Sequence, residues 1–293
     1  MKIALHGRKF SADCHAFIMQ LMEVLTGYDV MLFVYAPFLT FLQKELQLSL
    51  PNARAFSDAQ SLPKDIACFI NIGGDGTFLE SMALIHDSGI PTIGINLGKL
   101  GFLANISYND IKDSISAILE GHYQIEERSL LQIISDTLPV SIYPYALNEA
   151  GIQRHNPAII GVRVKLDNEL LPTYWSDGLL VATPTGSTAY SMSVGGPIVM
   201  PEAKNFILAP IAPHNLNVRP LVIPDTATLE IAVSARKGNI FLTIDNQPEV
   251  EIPSGFQFII RKAPFSLRFI RLNSNRFFTS LQEKLAWGID KRN

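Results

Sequence analysis

Gly73, Gly74, Asp75, Gly76 and Thr77 stand in "INIGGDGTFLE", residues 70–80, where an apolar run meets an apolar-periodic one with a carboxylate set among glycines. Such glycines permit a tight turn and close backbone approach, and a helix starting near Thr77 offers unpaired N–H groups to an anion, so the stretch is a phosphate-sized cradle. A bare carboxylate repels phosphate, which points Asp75 toward a hydroxyl proton or a metal ion beside the phosphate. The same pattern also fits a plain strand-to-helix turn with Asp75 as its N-cap acceptor. In "YWSDGLLVATPTGSTAYSMSVGGP", residues 174–197, a buried strand at 179–182 gives way to small and hydroxyl-bearing residues. Thr188, Tyr190, Ser191 and Ser193 there suit a planar ligand held by hydrogen bonds, and as composition alone the segment suits a surface loop equally. In "NEAGI", Asn148 and Glu149 pair an amide with a carboxylate able to hold ribose hydroxyls.

Other chemistries find no support. "GINLGKL", residues 94–100, has one residue too few between its glycines and Leu where a P-loop has Ser or Thr. GxGxxG, GxSxG, HExxH and the HRD and DFG pair of protein kinases are absent. The six histidines show no paired metal spacing. A net charge of -3 gives no electrostatic footprint for nucleic acid or an anionic membrane. Only Cys14 and Cys68 occur, too few for a disulfide framework, which suits a reducing, cytoplasmic setting. The most apolar stretch, residues 30–42, is broken by Pro37 and falls short of the ~20 residues that span a bilayer. Before His6 the chain opens with only three apolar residues in a row, too few for a signal-peptide core.

The elements that must position these residues follow from periodicity. Residues 1–122 alternate short apolar runs with helical stripes, the pattern of a doubly wound α/β domain or one close to it. Strands are expected at 2–5, 29–35, 66–72 and 92–96. Helices are expected on the stripe Ile18, Leu21, Met22 and Leu25, on Phe78, Met82 and Ile85, and over 110–119. Residues 123–272 change to alternating, β-branched segments and predict a β-rich, sandwich-like domain. From 273 to 293 helical spacing returns through Phe277, Leu281 and Leu285, a segment expected to pack back on the first domain. With 293 residues, 47% of them hydrophobic, and no flexible linker, two closely docked domains with a cleft between them are the expectation.

"GGDGT", "NLGKLGFL", "NE", the 174–197 segment, "PIAPHNLNVRPLVIPD", "DNQ" and "FFTSLQEKLAWG" follow one another as in the NAD kinase family, which the chain resembles over nearly its whole length. GGDGT alone is shared with lipid kinases of the diacylglycerol and sphingosine type; the 174–197 segment separates them. The resemblance implies transfer of the terminal phosphoryl of ATP to the 2′-hydroxyl of NAD, with a divalent metal ion, Mg²⁺, and no metal ligand assigned to a protein side chain. It makes Asp75 the catalytic proton acceptor or hydroxyl orienter. The NAD site it implies comprises Asp75, Gly76, Asn148, Glu149, Asp177, Thr188, Ala189, Tyr190, Ser191, Met192, Ser193 and Gln247. Gly73, Gly74, Gly76, Thr77, Arg8 and Lys9 would meet ATP phosphates. It also implies a homodimer or homotetramer. The chain departs from the family pattern at Glu80, where a basic residue is common; at Asn246, where a glycine is common and Asn tolerates the left-handed conformation; and at Trp175, where a polar residue is common. A dinucleotide sensor without catalysis would lack the acid at 75.

Overall fold

The computed structural model describes residues 1–11, 14–98, 101–156, 158–272 and 277–286. Lys99, Leu100, Trp287 and Gly288, quoted in the motifs above, lie outside the described residues. The chain forms two compact units, Met1–Glu126 with Leu267–Asn293, and Glu127–Ser266.

The first unit opens with β1 (Lys2–Gly7), α1 (His15–Gly27), β2 (Met31–Tyr35), α2 (Ala36–Lys44), β3 (Arg54–Phe56) and β4 (Cys68–Ile72). There follow α3 (Asp75–Glu80), α4 (Met82–Ile85), β5 (Thr92–Ile95), β6 (Ala104–Ile106) and α5 (Ile111–Leu119). The strands lie parallel in the order β5-β4-β1-β2-β3, with β6 beyond β5. Cys68–Ile72 and Thr92–Ile95 are buried at every position, Asn71 and Thr92 included, as mostly apolar strands covered on both faces are. The α1 stripe packs as expected, with Phe17 added to Ile18, Leu21, Met22 and Leu25. The stripe through Phe78, Met82 and Ile85 is buried too, but it belongs to two short helices rather than one. They part at Ser81, whose hydroxyl donates back to the Phe78 carbonyl at 2.7 Å, competing with the next helical turn.

The second unit is antiparallel. It takes in most of β7 (Gln124–Ile134), then β8 (Tyr145–Ala146), β9 (Glu149–Arg154), β10 (Ile160–Leu166), β11 (Glu169–Leu170), β12 (Tyr174–Ser176) and β13 (Gly178–Ala182). After the short helix α6 (Tyr190–Ser193) come β14 (Asn205–Ile211), β15 (Leu221–Pro224), β16 (Leu229–Ala235), β17 (Ile240–Ile244), β18 (Val250–Ile252) and β19 (Gln257–Arg271). One sheet runs β11-β10-β16-β19 and the other β15-β14-β13-β9-β17-β18. Val162 and Val164 of β10, Ile231 and Val233 of β16, and Phe258 of β19 share a core with Ile152, Val181, Phe206 and Leu242 of the other sheet. Every second residue of β16 therefore points inward, the alternation visible in its sequence. Strand β13 is buried throughout because Leu180 and Ala182 meet a second layer holding Val194 and Val199.

The far end of β19 belongs to the first unit, where Phe269 pairs with Thr92, and α7 (Phe277–Leu285) follows in the same unit. Its inward face differs from the expected stripe. Leu281 is buried, but Leu285 is exposed, and the place one turn after Leu281 is taken by Lys284, whose side chain is 21% exposed.

Candidate functional site

Gly73 leaves β4 with φ 147°, a conformation L side chains rarely adopt, and a Cβ there would lie 2.6 Å from Thr77 Oγ1. The helix then starts at Asp75, two residues before the expected Thr77, with Gly74 at the N-cap. No side chain caps it, so the N-cap reading of Asp75 does not hold. The carboxylate turns instead to the loop before β6. Its Oδ2 accepts from the backbone N–H of Phe102 at 2.9 Å, and Oδ1 accepts from Leu103 and Ala104 at 3.0 Å each. Gly101 makes this possible, since a Cβ at that position would sit 1.9 Å from Asp75 Oδ1. Lys284 Nζ stands 3.6 Å from Oδ2 and 3.9 Å from the centre of the Phe102 ring. The spacing of "GGDGT" and "GFL" in the chain thus serves one contact.

Arg8 and Lys9 follow β1 and line a cavity of about 650 Å³ at the carboxyl ends of β1 and β2, together with Lys44, Glu45 and Glu80. Open parallel sheets bind ligands at this edge. Arg8 is ion-paired with Glu80, and Lys9 with Glu45 at 2.7 Å. Glu80 thus has a cation beside it, although it stands where a basic residue is common in the family. His6, at the bottom of the cavity, is a core histidine: burial holds it down to about 4, with Arg8 acting in the same direction and a hydrogen bond to Asn71 opposing.

In the second unit Asn148 and Glu149 sit at one end of the β9–β13 ladder, Glu149 opposite Ala182. Asp245 fixes them. Its carboxylate accepts from the backbone N–H groups of Leu147, Asn148 and Glu149 at 2.7, 2.9 and 3.0 Å. The left-handed residue of the "DNQ" turn is Asp245, with φ 48°, and not Asn246 as the sequence suggested. Glu149 Oε2 and Ser191 Oγ are buried without a hydrogen-bond partner among the described residues. Burial first, and the Asp245 charge second, push the Glu149 carboxyl up to about 8, against the pull of the Tyr190 backbone N–H. Burial likewise raises Asp245 to about 6, although its three backbone donors pull the other way. Burial and the neighbouring Asp245 charge thus favour the protonated form of the Glu149 carboxyl.

Thr185–Thr188 form a turn of 3₁₀ helix, and after Ala189 the residues Tyr190–Ser193 form α6, so the segment is helical in short pieces rather than an open loop. The backbone N–H of Tyr190 reaches Glu149, which joins that segment to the carboxyl. Two further sequence candidates are engaged with other parts of the second unit. Asp177 pairs with Arg154 at 2.5 Å, five residues along β13 from Ala182 and so about 17 Å from the Glu149 end. Gln247 spends both ends of its amide on the Tyr143 backbone, at 2.9 and 2.8 Å. Trp175 is exposed on β12, opposite Gly161, where a Cβ would come within 2.9 Å of the indole. Sequence reading missed Asp245, Gly101 and Lys284, although each lies in a quoted motif.

The ATP-NAD kinase N-terminal domain matches residues 45–123 and the ATP-NAD kinase C-terminal domain matches residues 147–272. The chain is 37% identical to an NAD kinase of Cytophaga hutchinsonii and 38% to one of Bacteroides fragilis, over 100% of both chains in each case. An NAD kinase of Porphyromonas gingivalis is 40% identical over 98% of each chain. In fold, it resembles yeast NADH kinase complexed with NADH, with a TM-score of 0.87 and 22% identity over 99% of this chain and 89% of that one. An NAD kinase from Archaeoglobus fulgidus in complex with ATP gives a TM-score of 0.73 and 22% identity over 97% and 99%. Matched by both domain families and by full-length relatives well above 30% identity, the chain belongs to the NAD kinase family.

Proposed function

We propose a division of labour between the two units in the NAD kinase reaction. The protein transfers the terminal phosphoryl of ATP to the 2′-hydroxyl of the adenosine ribose of NAD and releases NADP and ADP. Asp75 takes the hydroxyl proton, or orients the hydroxyl, while its oxygen attacks the terminal phosphorus and the bridging P–O bond breaks with its electron pair going to ADP. One observation carries this role: Asp75 does not cap its helix but is aimed by three backbone donors, with its side chain still 33% exposed. Gly73, Gly74, Gly76 and Thr77 receive the donor phosphates. Arg8 and Lys9 join them by leaving Glu80 and Glu45.

In the second unit, Asn148 and Glu149 hold the adenosine ribose, the buried and unpartnered Glu149 Oε2 being a ready partner for a hydroxyl. Thr188, Ala189, Tyr190, Ser191, Met192 and Ser193 line the NAD wall. Asp177 meets the other end of the dinucleotide, which is long enough to reach it, and Gln247 serves by holding the backbone of Tyr143. Magnesium supplies charge neutralisation between the donor phosphates when bound. Among the described residues no group of three or more His, Cys, Asp or Glu side chains could hold a metal ion. Magnesium readily keeps phosphate and water ligands, and on this reading it would enter with ATP.

The exposed Leu216, Leu221 and Val222 support assembly as a homodimer or homotetramer, which light scattering would test. Both cysteines are free, in keeping with a cytoplasmic enzyme. No described helix is long and apolar enough to cross a membrane. The test of the reaction is NADP formation by purified protein with Mg-ATP and NAD, run beside a diacylglycerol or sphingosine phosphorylation assay. NADP and no phospholipid is the expected result; phospholipid without NADP would overturn it.

A further inference from the structure

We propose that Lys284 is the positioning residue of Asp75, delivered by the C-terminal helix to carboxylate oxygen Oδ2 so that the acid is aimed for its hydroxyl. The inference rests on the NAD kinase reading and adds a residue to it. Lys284 lies three residues after the buried Leu281, on the face of α7 where an apolar residue belongs. An ammonium placed inward costs desolvation unless a partner compensates it. Burial does hold the Lys284 ammonium below the usual lysine range, with Asp75 pulling it back up. The Phe102 ring completes the seat, 3.9 Å from Nζ, and Phe277 packs 6.3 Å from that ring. Helix, loop and acid are thus assembled around one ammonium.

A carboxylate has about four acceptor positions. Three on Asp75 are taken by backbone donors of residues 102–104, which cannot move without moving the loop. The fourth partner is Lys284, on a flexible stem with three rotatable donors. It can pivot and share Oδ2 as the hydroxyl arrives while still fixing the rotamer. Among the described residues, Arg8 is paired with Glu80 and Lys9 with Glu45.

The test is kcat and KM for NAD with saturating Mg-ATP in the full chain. Lys284→Met should lose ~10-fold to 10²-fold in kcat, the scale of a misaimed catalytic group. KM for NAD should stay within about 3-fold, and Lys284→Arg should keep kcat within about 5-fold of the parent. In Lys284→Ala, ethylammonium chloride should restore part of kcat where sodium chloride of equal strength does not, because a helix-docking role would not respond to an amine. A folded Lys284→Met with kcat within about 3-fold of the parent overturns the proposal. If neither Lys284→Met nor Lys284→Ala folds, the residue belongs to the docking of α7 and the proposal is equally overturned. Failure of the parent protein to make NADP is a separate result, and it strikes the NAD kinase reading instead.

Discussion

Asp75 in the first unit and Asp245 in the second each accept hydrogen bonds from three consecutive backbone N–H groups, residues 102–104 in one case and 147–149 in the other. Their neighbours set them apart. Asp75 faces an ammonium, Lys284, and keeps a third of its side chain open to solvent. Asp245 faces another acid, Glu149, and burial raises both carboxyls. One hydrogen-bonding device therefore yields an accessible acid beside an ammonium in one unit and a pair of buried acids that shapes the end of a strand in the other. The surroundings, more than the cradle, decide the chemistry.

The comparison breaks most easily at Asp75. Asp75→Asn should cost ~10² to 10⁴ in kcat, the usual contribution of a placed acid–base group, in a protein that still folds. A loss below about tenfold would make Asp75 a loop anchor and no more. Gly101→Ala asks whether aim alone matters, because the added Cβ would collide with Asp75 Oδ1 and drive the carboxylate out of its seat. About 10² in kcat is the expected loss, and an unchanged kcat would show that the loop contact is dispensable.

Trp175 probes the binding unit. It is exposed on β12, and an indole face near the positive nicotinamide of NAD is worth ~0.5 to 2 kcal/mol, a charge that NADH lacks. Trp175→Leu should therefore lower the NAD to NADH ratio of kcat/KM by roughly 2-fold to 30-fold, at 1.4 kcal/mol per tenfold. An unchanged ratio would assign the indole to covering Gly161.

The smallest effect is on stability. The Glu149 carboxyl is raised from 4.5 to about 8, so between those values the native protein holds a proton that the unfolded chain has released. Stability of the ligand-free protein contributed by this group is full below pH 4.5 and falls as pH rises toward 8. Glu149→Gln removes that loss, so the margin of its Tm over the parent's should widen as pH rises from 4.5 toward 8. A margin that does not widen across the window would deny the buried acid its cost.

Much of the fold was legible because periodicity reports burial. The mostly apolar β4 and β5, the α1 stripe and the alternation of β16 each state which faces are covered. The break of the GGDGT helix at Ser81 was not, since it depends on one hydroxyl choosing the Phe78 carbonyl. Asp75, Asn148 and Glu149 were found as residue types out of place in a cradle or at a strand end. Asp245 was passed over for Gln247 because nothing local tells which polar residue of "DNQ" will turn its side chain back onto a strand 97 residues away. Lys284 was hidden behind an apolar stripe that predicted Leu285 on the inner face, when a partner distant in sequence had fixed the choice. Asp177 looked near by motif but lies at the far end of its ladder, a distance only register reveals.

The central claim is that the two aspartates, held alike, do different work, and kcat and KM for NAD measured side by side in Asp75→Asn and Asp245→Asn test it most directly. Asp75→Asn should lose kcat by ~10² or more with KM for NAD within about 3-fold, while Asp245→Asn, which unsettles residues 147–149, should raise KM for NAD by about tenfold or more with the smaller loss in kcat. The reverse split, or two variants with the same profile, would contradict the account.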